Sequence, residues 1–360
     1  MDQTKDQAER ELSFSSIAAS SQLKDQLARA VSGNDAPLLL VGQEGAGKDF
    51  IGRRLAAALL CQEPDPVTGA CGRCPSCRLF TRGSHVDLIE VAPAEDKTSI
   101  PVADVRALVA ATLPIYPQLS ARKVYLIRAP KADSLNEAGQ NALLKPMEEH
   151  PPFVRFILLT EEVDQLLPTI RSRSRMIRIG RRSQEEILQI LAQAGFQGQG
   201  ASLAANYADG LPGQALALAG DSDFRRLRDQ VLDLLLEIPA ASRTQCLTDY
   251  LNFFREEKKQ IALILRLTES FLRDLLILQR QIPETRLINS DLEEALAKIS
   301  RAPKAPDPAQ AAEIVRQTGR ALKANANFDH TVARMLLALR ANLGGHREES
   351  AHYQARESFL

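Results

Sequence analysis

Apolar positions in the first half of the chain fall into short runs separated by segments of helical period. Pro37–Val41, Asp87–Val91, Lys123–Arg128, Phe153–Thr160 and Arg175–Ile179 are β-rich, and amphipathic stretches at Phe50–Leu60, Val102–Leu113 and Asn136–Glu149 lie between them. A helix over about Gln22–Ser32 precedes the first strand. This alternation predicts a mostly parallel sheet covered by helices on both faces. Near residue 180 the strands stop. Ser183 and Glu186 form a capping box that opens a helix over Gln184–Ala194, and helices at Ala201–Ala208 and Pro212–Ala219 follow. Beyond them Phe224, Leu227, Val231, Leu234, Leu235 and Ile238 recur at helical spacing. Further helices are predicted at Arg243–Phe254, Ile261–Gln279, Asp291–Ile299, Pro308–Asn325 and His330–Leu343, with a Pro-rich connection at 301–308. The expected layout is an α/β domain over 1–180, a small helical domain over 181–221, an all-α domain over 222–345 and a frayed tail over 346–360.

The chain has 360 residues, enough for two or three domains at roughly 150 residues each. Folding as one globule would withdraw about 43,000 Å² from water, so core size is no obstacle. Hydrophobic residues make up 44% and charged residues 25%, which excludes wholesale disorder. Lys+Arg and Asp+Glu both number 45. This balance argues against coating nucleic acid or an anionic membrane through bulk charge; any polyanion contact must come from a local patch. No apolar run approaches the ~20 residues of a membrane helix. Met1-Asp2-Gln3-Thr4-Lys5-Asp6 has no apolar signal core behind it, so the expected compartment is cytoplasmic.

Gly42-Gln43-Glu44-Gly45-Ala46-Gly47-Lys48 stands between the apolar run Leu38–Val41 and a helix, the context of a phosphate loop. Small residues let backbone N–H groups turn inward, the helix N-terminus adds positive potential, and the lysine reaches outer phosphates. Gly42, Gly45, Gly47 and Lys48 are therefore the candidate nucleotide-binding residues. The next position departs from that chemistry: a hydroxyl there would bind Mg²⁺, and the chain has Asp49. Asp49 either caps its helix or fills the anion site itself, and both readings weaken nucleotide binding. Where acidic residues after Lys123–Arg128 would hold magnesium and activate water stand Pro130 and Lys131, with Asp133 further on. Hydrolysis in this pocket is expected to be negligible.

Cys61-x9-Cys71-x2-Cys74-x2-Cys77 follows the loop's helix, among several Pro and Gly residues. Cys-x2-Cys steps turn two thiolates onto one ion, and four thiolates complete a closed tetrahedral shell. Zn²⁺ is the expected structural cofactor at Cys61, Cys71, Cys74 and Cys77, with redox or free thiols as the alternative. Such an ion adds on the order of 10 kcal/mol to the folding of its loop. His85 is a spare ligand candidate read as a loop residue, and Cys246 is read as a small core residue.

These features together resemble the AAA+ clamp-loader subunits of bacterial DNA polymerase III, over about residues 12–340. The resemblance rests on the four-cysteine insertion behind the phosphate-loop helix, on Asn141-Ala142-Leu143-Leu144-Lys145-Pro146-Met147-Glu148-Glu149 and on Ser172-Arg173-Ser174, with a weaker echo in Ala324-Asn325-Ala326-Asn327. The motor subunits of that family, gamma and tau, share the zinc insertion. Asp49, the pair Pro130/Lys131, and Gly213, which stands where the ATPases carry a nucleotide-sensing arginine, depart from the motor pattern. Thr160 matches the sensor at the end of the fourth strand. The resemblance implies an AAA+ P-loop domain with a zinc insertion, a helical lid and an all-α collar. It also implies a non-hydrolysing subunit whose Arg173 enters the ATP site of a neighbouring gamma or tau subunit, where an arginine finger is worth about 10³–10⁵ in rate. Implied partners are gamma or tau and delta within a five-subunit loader, and indirectly the sliding clamp and primed DNA. ATP in its own loop stays an open question, and polymerase activity belongs to the assembly.

Other readings remain beside this one. Arg171, Arg173, Arg175 and Arg178 also fit the solvated edge of a strand, and the basic run from Arg171 to Arg182 also fits contact with DNA phosphates. The whole chain could be an active motor ATPase of the same fold, a module that holds ATP without cleaving it, or a zinc-dependent nucleic-acid binder. ATP turnover by the isolated chain, nucleotide binding abolished by Lys48→Ala, and steep salt dependence on DNA distinguish these in turn.

Overall fold

The computed structural model describes residues 12–345 except 34–35, 95–96, 130–133, 283–284 and 303–305. Pro130, Lys131, Asp133, part of the Pro-rich connection and the tail over 346–360 therefore lie outside the described residues. The chain divides into two compact units, Met1–Ala217 and Leu218–Leu360.

The first unit contains α1 (Ser21–Ser32), β1 (Leu38–Val41), α2 (Lys48–Leu60), α3 (Pro75–Thr81), β2 (Leu88–Val91), α4 (Val102–Thr112), β3 (Lys123–Arg128), α5 (Glu137–Glu148), β4 (Val154–Thr160), α6 (Pro168–Arg173), β5 (Arg175–Arg178), α7 (Gln184–Gln193) and α8 (Gly198–Tyr207). It also holds most of α9 (Pro212–Gly220). The five strands are all parallel, in the order β2-β3-β4-β1-β5. A parallel sheet needs cover on both faces, and successive side chains supply it. Leu38 and Leu40 of β1 and Val124 and Leu126 of β3 enter the layer with α1, α2 and the cysteine insertion. Leu39, Val41, Tyr125 and Ile127 enter the layer with α4, α5 and α6. The runs read as strands are strands, shortened by a residue or so at their ends.

Two helices arise where none was expected. Pro75 and Pro168 open α3 and α6 in the first turn, where a missing N–H leaves no helical bond unmade. Arg171 and Arg173 thus stand on a helix, and only Arg175 and Arg178 decorate the strand edge. The capping box at Ser183 is present, with Ser183 Oγ accepting from Glu186 N and Glu186 Oε2 accepting from Ser183 N at 2.8 Å. No helix among the described residues is long and apolar enough to cross a membrane.

The second unit is helical: α10 (Ser222–Glu237), α11 (Arg243–Gln245), α12 (Leu251–Glu256), α13 (Ile261–Arg280), α14 (Glu293–Ser300), α15 (Pro308–Lys323) and α16 (Phe328–Leu343). The helix predicted over Arg243–Phe254 is interrupted by a π turn at Cys246–Tyr250, and Cys246 is fully buried as expected. Ile264, Leu267, Phe271 and Leu275 put the apolar stripe of α13 into this core. Asp274, on the same helix, has no exposed surface. Its carboxylate accepts from Ile288 N at 3.0 Å, Asn289 N at 2.7 Å and Asn289 Nδ2 at 2.9 Å. Arg228 on α10 donates to Asn289 Oδ1 at 3.1 Å and Asp291 Oδ1 at 2.6 Å, so one network pins the segment before α14 to two helices. Removing one member of a buried charged network strands its partners. Asp274→Ala is expected to cost about 3–5 kcal/mol in urea unfolding followed by circular dichroism; a loss under about 1 kcal/mol would show the network to be incidental.

Candidate functional site

The phosphate-loop residues lie at the carboxyl end of β1, where ligands of parallel α/β sheets bind. Val41 pairs with Thr160 of β4, and Gly42 N donates to Thr160 O at 3.1 Å. Gly45 at φ +79° and Gly47 at φ +87° take left-handed conformations that glycine adopts without a Cβ clash. Gly47 then begins α2, with Lys48 in its first turn. A cavity of about 1300 Å³ adjoins the loop. Ile17, Ile190, Ala194 and Leu216 give it an apolar wall, and Lys48, Arg54, Arg128 and Arg182 bring cations to it.

The loop's charges are satisfied from within the protein. Lys48 Nζ lies 2.7 Å from Glu161 Oε1, and both side chains are largely buried, at 12% and 18% exposure. Glu161 follows Thr160 directly, so the Val41–Thr160 register that seats the loop also seats this carboxylate. Asp49 does not fill the anion site. It is bound by Arg128 Nε, while Arg128 Nη2 meets Glu90 at 2.9 Å and Arg53 meets Glu90 at 2.7 Å. Burial opposes the charge on Arg128, yet Asp49 and Glu90 beside it hold the guanidinium pKa above its ordinary value. From the other side α9 closes on the loop: Gly213 N donates to Gly45 O at 2.8 Å. A Cβ on Gly213 would stand 2.9 Å from Gly45 Cα, closer than such atoms approach. Thr160 is 3% exposed, and its hydroxyl accepts from Glu162 N at 3.3 Å.

Arg173 ends α6. Ile170 anchors that helix with no exposed surface, and Leu167 N just before it donates to Gln140 Oε1 at 2.7 Å. Ser174 Oγ donates back to Ile170 O at 2.7 Å, closing the helix. The Arg173 guanidinium is half-exposed and pairs with Glu148 Oε1 at 2.7 Å. Glu148, the last residue of α5, is thus the carboxylate that pairs with it.

The four cysteines converge. Their Sγ atoms lie within 4.8 Å of one another, with Cys61–Cys74 at 3.9 Å and Cys71–Cys77 at 4.0 Å. A tetrahedral ion with bonds of about 2.3 Å sets sulfurs about 3.8 Å apart, so the cluster fits a metal ion. Amides of Cys71, Cys74 and Cys77 approach sulfurs at 3.3–3.4 Å, donors that favour thiolate. Hydrogen bonding from Cys77 and then from nearby amides draws the Cys61 pKa down to about 5 against the effect of burial. The same contact with Cys61, together with burial, pushes the Cys77 thiol up. Four cysteines this close could hold a metal ion, whose charge would offset the repulsion among thiolates.

His85 is not among the ligands. It is 6% exposed, its Nδ1 accepts from Asp87 N at 3.1 Å, and its Nε2 meets Ser76 Oγ at 2.7 Å. Ser76 and Ser120 both donate to Leu60 O, so the network assigns the proton to Nε2. Asp87 accepts from the amides of Gln118, Leu119 and Ser120 at 2.7–2.8 Å. The cysteine insertion, the end of α2 and the segment before β3 are joined through this buried cluster.

Residues 19–183 match the family described as DNA polymerase III, delta subunit. Over 135 residues the chain is 41% identical to the DNA polymerase III subunit delta' of Pseudomonas aeruginosa, covering 38% of this chain and 40% of that protein. Over 204 residues it is 36% identical to the delta' subunit of Escherichia coli, covering 56% of this chain and 60% of that one. Residues 19–183 are thus similar to DNA polymerase III delta-prime subunits. The delta-prime match is partial, since the aligned stretch spans about 40–60% of the length of these relatives. The gamma subunit of Buchnera aphidicola is also similar, at 33% identity over 186 residues, covering 50% of this chain and 49% of that protein. Among solved structures, a gamma subunit-related protein from Thermotoga maritima aligns with 89% of this chain and 99% of its own at 16% identity and a TM-score of 0.42.

Within residues 19–183, nothing in the sequence marks Glu161, Arg128 and Glu148 as partners of Lys48, Asp49 and Arg173. Nor does it mark the burial of His85. Burial lowers the His85 pKa, with Asp87 opposing. A base depressed in the folded state adds stability that is complete above its unfolded pKa of about 6.5 and is lost as pH falls below it. Between pH 7 and 5.5, thermal stability is expected to fall more steeply in the native chain than in His85→Gln; equal slopes would remove the assignment.

Proposed function

We propose that this chain is the delta-prime subunit of a DNA polymerase III clamp loader, an AAA+ stator that does not hydrolyse ATP and helps load the sliding clamp on DNA. The observation that carries the reading is the Lys48–Glu161 ion pair: the lysine that would hold outer phosphates is already neutralised by a carboxylate of the same chain. Asp49 in place of a magnesium-binding hydroxyl, its pairing with Arg128, and α9 resting on Gly45 support the same conclusion. In this reading residues 181–221 act as a lid and 222–345 as a collar that joins the other subunits. The partners are gamma or tau and delta in a pentameric loader in the cytoplasm, with the clamp and primed DNA reached through them.

Arg173 supplies the finger. It acts from a helix end held by a buried isoleucine, and its resting partner Glu148 is half-exposed. An exposed ion pair of this kind is worth about 0–1 kcal/mol, so a neighbour's triphosphate displaces it at little cost. A guanidinium there neutralises charge on the transferring phosphoryl oxygens. Zn²⁺ is the ion we assign to Cys61, Cys71, Cys74 and Cys77, where it holds the insertion together and takes no part in chemistry.

A second reading, in which the chain binds ATP without cleaving it, is favoured by the cavity of about 1300 Å³ beside the loop. A reconstituted loader separates the possibilities. Arg173→Ala is expected to lower DNA-stimulated ATPase at the neighbouring site by at least about 10³-fold, while the isolated native chain turns over no ATP. Wild-type ATPase in the variant loader, or turnover by the chain alone, overturns the stator reading. Metal analysis of protein purified without chelator is expected to find about one zinc per chain, and a much lower content removes the zinc assignment.

A further inference from the structure

A second cavity of the first unit, about 490 Å³, lies between the N-terminal turn of α1 and the segment that follows β5. Ser20, Gln22 and Gln26 line it on the helix side, and Arg178, Arg181 and Arg182 on the other, with Leu23 and Met176 as an apolar floor. α1 is a helix of 12 residues, and no acceptor for the N–H groups of its first residues, Ser21 and Gln22, occurs among the described residues. Such a terminus favours an anion.

The second observation is Arg182. It is 9% exposed, and its backbone N–H donates to Gly210 O at 2.8 Å. Among the described residues its guanidinium has no hydrogen-bond acceptor and no ion-pair partner. Glu186, whose charge acts on it, is committed to the amide of Ser183. Burial lowers the Arg182 pKa, with Glu186 opposing, as for a cation lacking its counter-charge. The side chain is largely covered while lining the cavity, and a guanidinium so placed matches a carboxylate or phosphate group. Arg178, on the exposed edge of β5, is also without a side-chain partner among the described residues, whereas Arg181 is bound to Asp209.

We infer that Arg182, Arg178 and the N-terminal turn of α1 form a phosphate-binding site beside the phosphate-loop cavity, whose wall Arg182 also lines. The ligand is a phosphate group, either free or as the diester of a single nucleic-acid strand; guanidinium forks and free helix amides match its oxygens. The site does not depend on Lys48, so it stands or falls separately from the stator reading.

The test titrates the full chain with inorganic phosphate, at ionic strength held constant with chloride, and reads the thermal midpoint. A parallel titration uses a short oligothymidylate. The native chain should be stabilised by phosphate beyond chloride. Arg182→Gln should lose the shift, Arg178→Gln should weaken binding about tenfold, and Lys48→Ala should leave it intact. Because Arg178 is exposed, its variant stays informative if Arg182→Gln fails to fold. A response to oligothymidylate alone, with the same sensitivity to both arginines, assigns the site to a nucleic-acid strand. No response to either probe, or one removed by Lys48→Ala and kept in Arg178→Gln, overturns the proposal.

Discussion

A parallel sheet buried on both faces delivers its functional groups at one end, and the register between β1 and β4 governs what this protein does there. Because Val41 lies opposite Thr160, the chain leaving β1 as a phosphate loop runs beside the chain leaving β4. Glu161 then falls within reach of Lys48, and Thr160 is used to hold the turn. Neither contact needs a special device. Both follow from strand length and from the apolar side chains that fix which residues face which layer.

The cations near this edge are settled in the same way. Arg128, the last residue of β3, holds Asp49 of α2 and Glu90 of β2 together, so three neighbouring elements share one charge cluster. The loop keeps the backbone form of a nucleotide cradle, but its electrostatics are closed by side chains of its own unit. The cysteine insertion is tied down equally well. Phe14 N donates to Thr68 O at 2.9 Å on one side, and the His85–Ser76–Ser120 cluster joins the other side to α2 and the approach to β3.

The sheet was legible because burial on both faces leaves near-continuous apolar runs such as Leu38–Val41 and Val124–Ile127, bounded by turn residues. The phosphate loop and the cysteines were legible because their spacing is local. The partners that decide the site's behaviour were not. Glu161 is 113 residues from Lys48, and nothing near either residue announces the other. Glu148 looked like any charged helix end until α6 folded back beside it. Short helices such as α3 and α6 carry too few apolar positions to show a period, and their proline starts looked like loop. His85 is the loop residue it was read as, but its burial was not legible, because the serines that bury it come from two distant segments.

The contact between Gly213 and Gly45 limits what position 213 can hold. With the backbone of α9 resting on the phosphate loop, any side chain at position 213 would first displace the helix that bears it. A carboxylate pair beyond β3 would meet a loop whose lysine is already claimed. Position 213 is open only to glycine for as long as this helix keeps its seat on the loop.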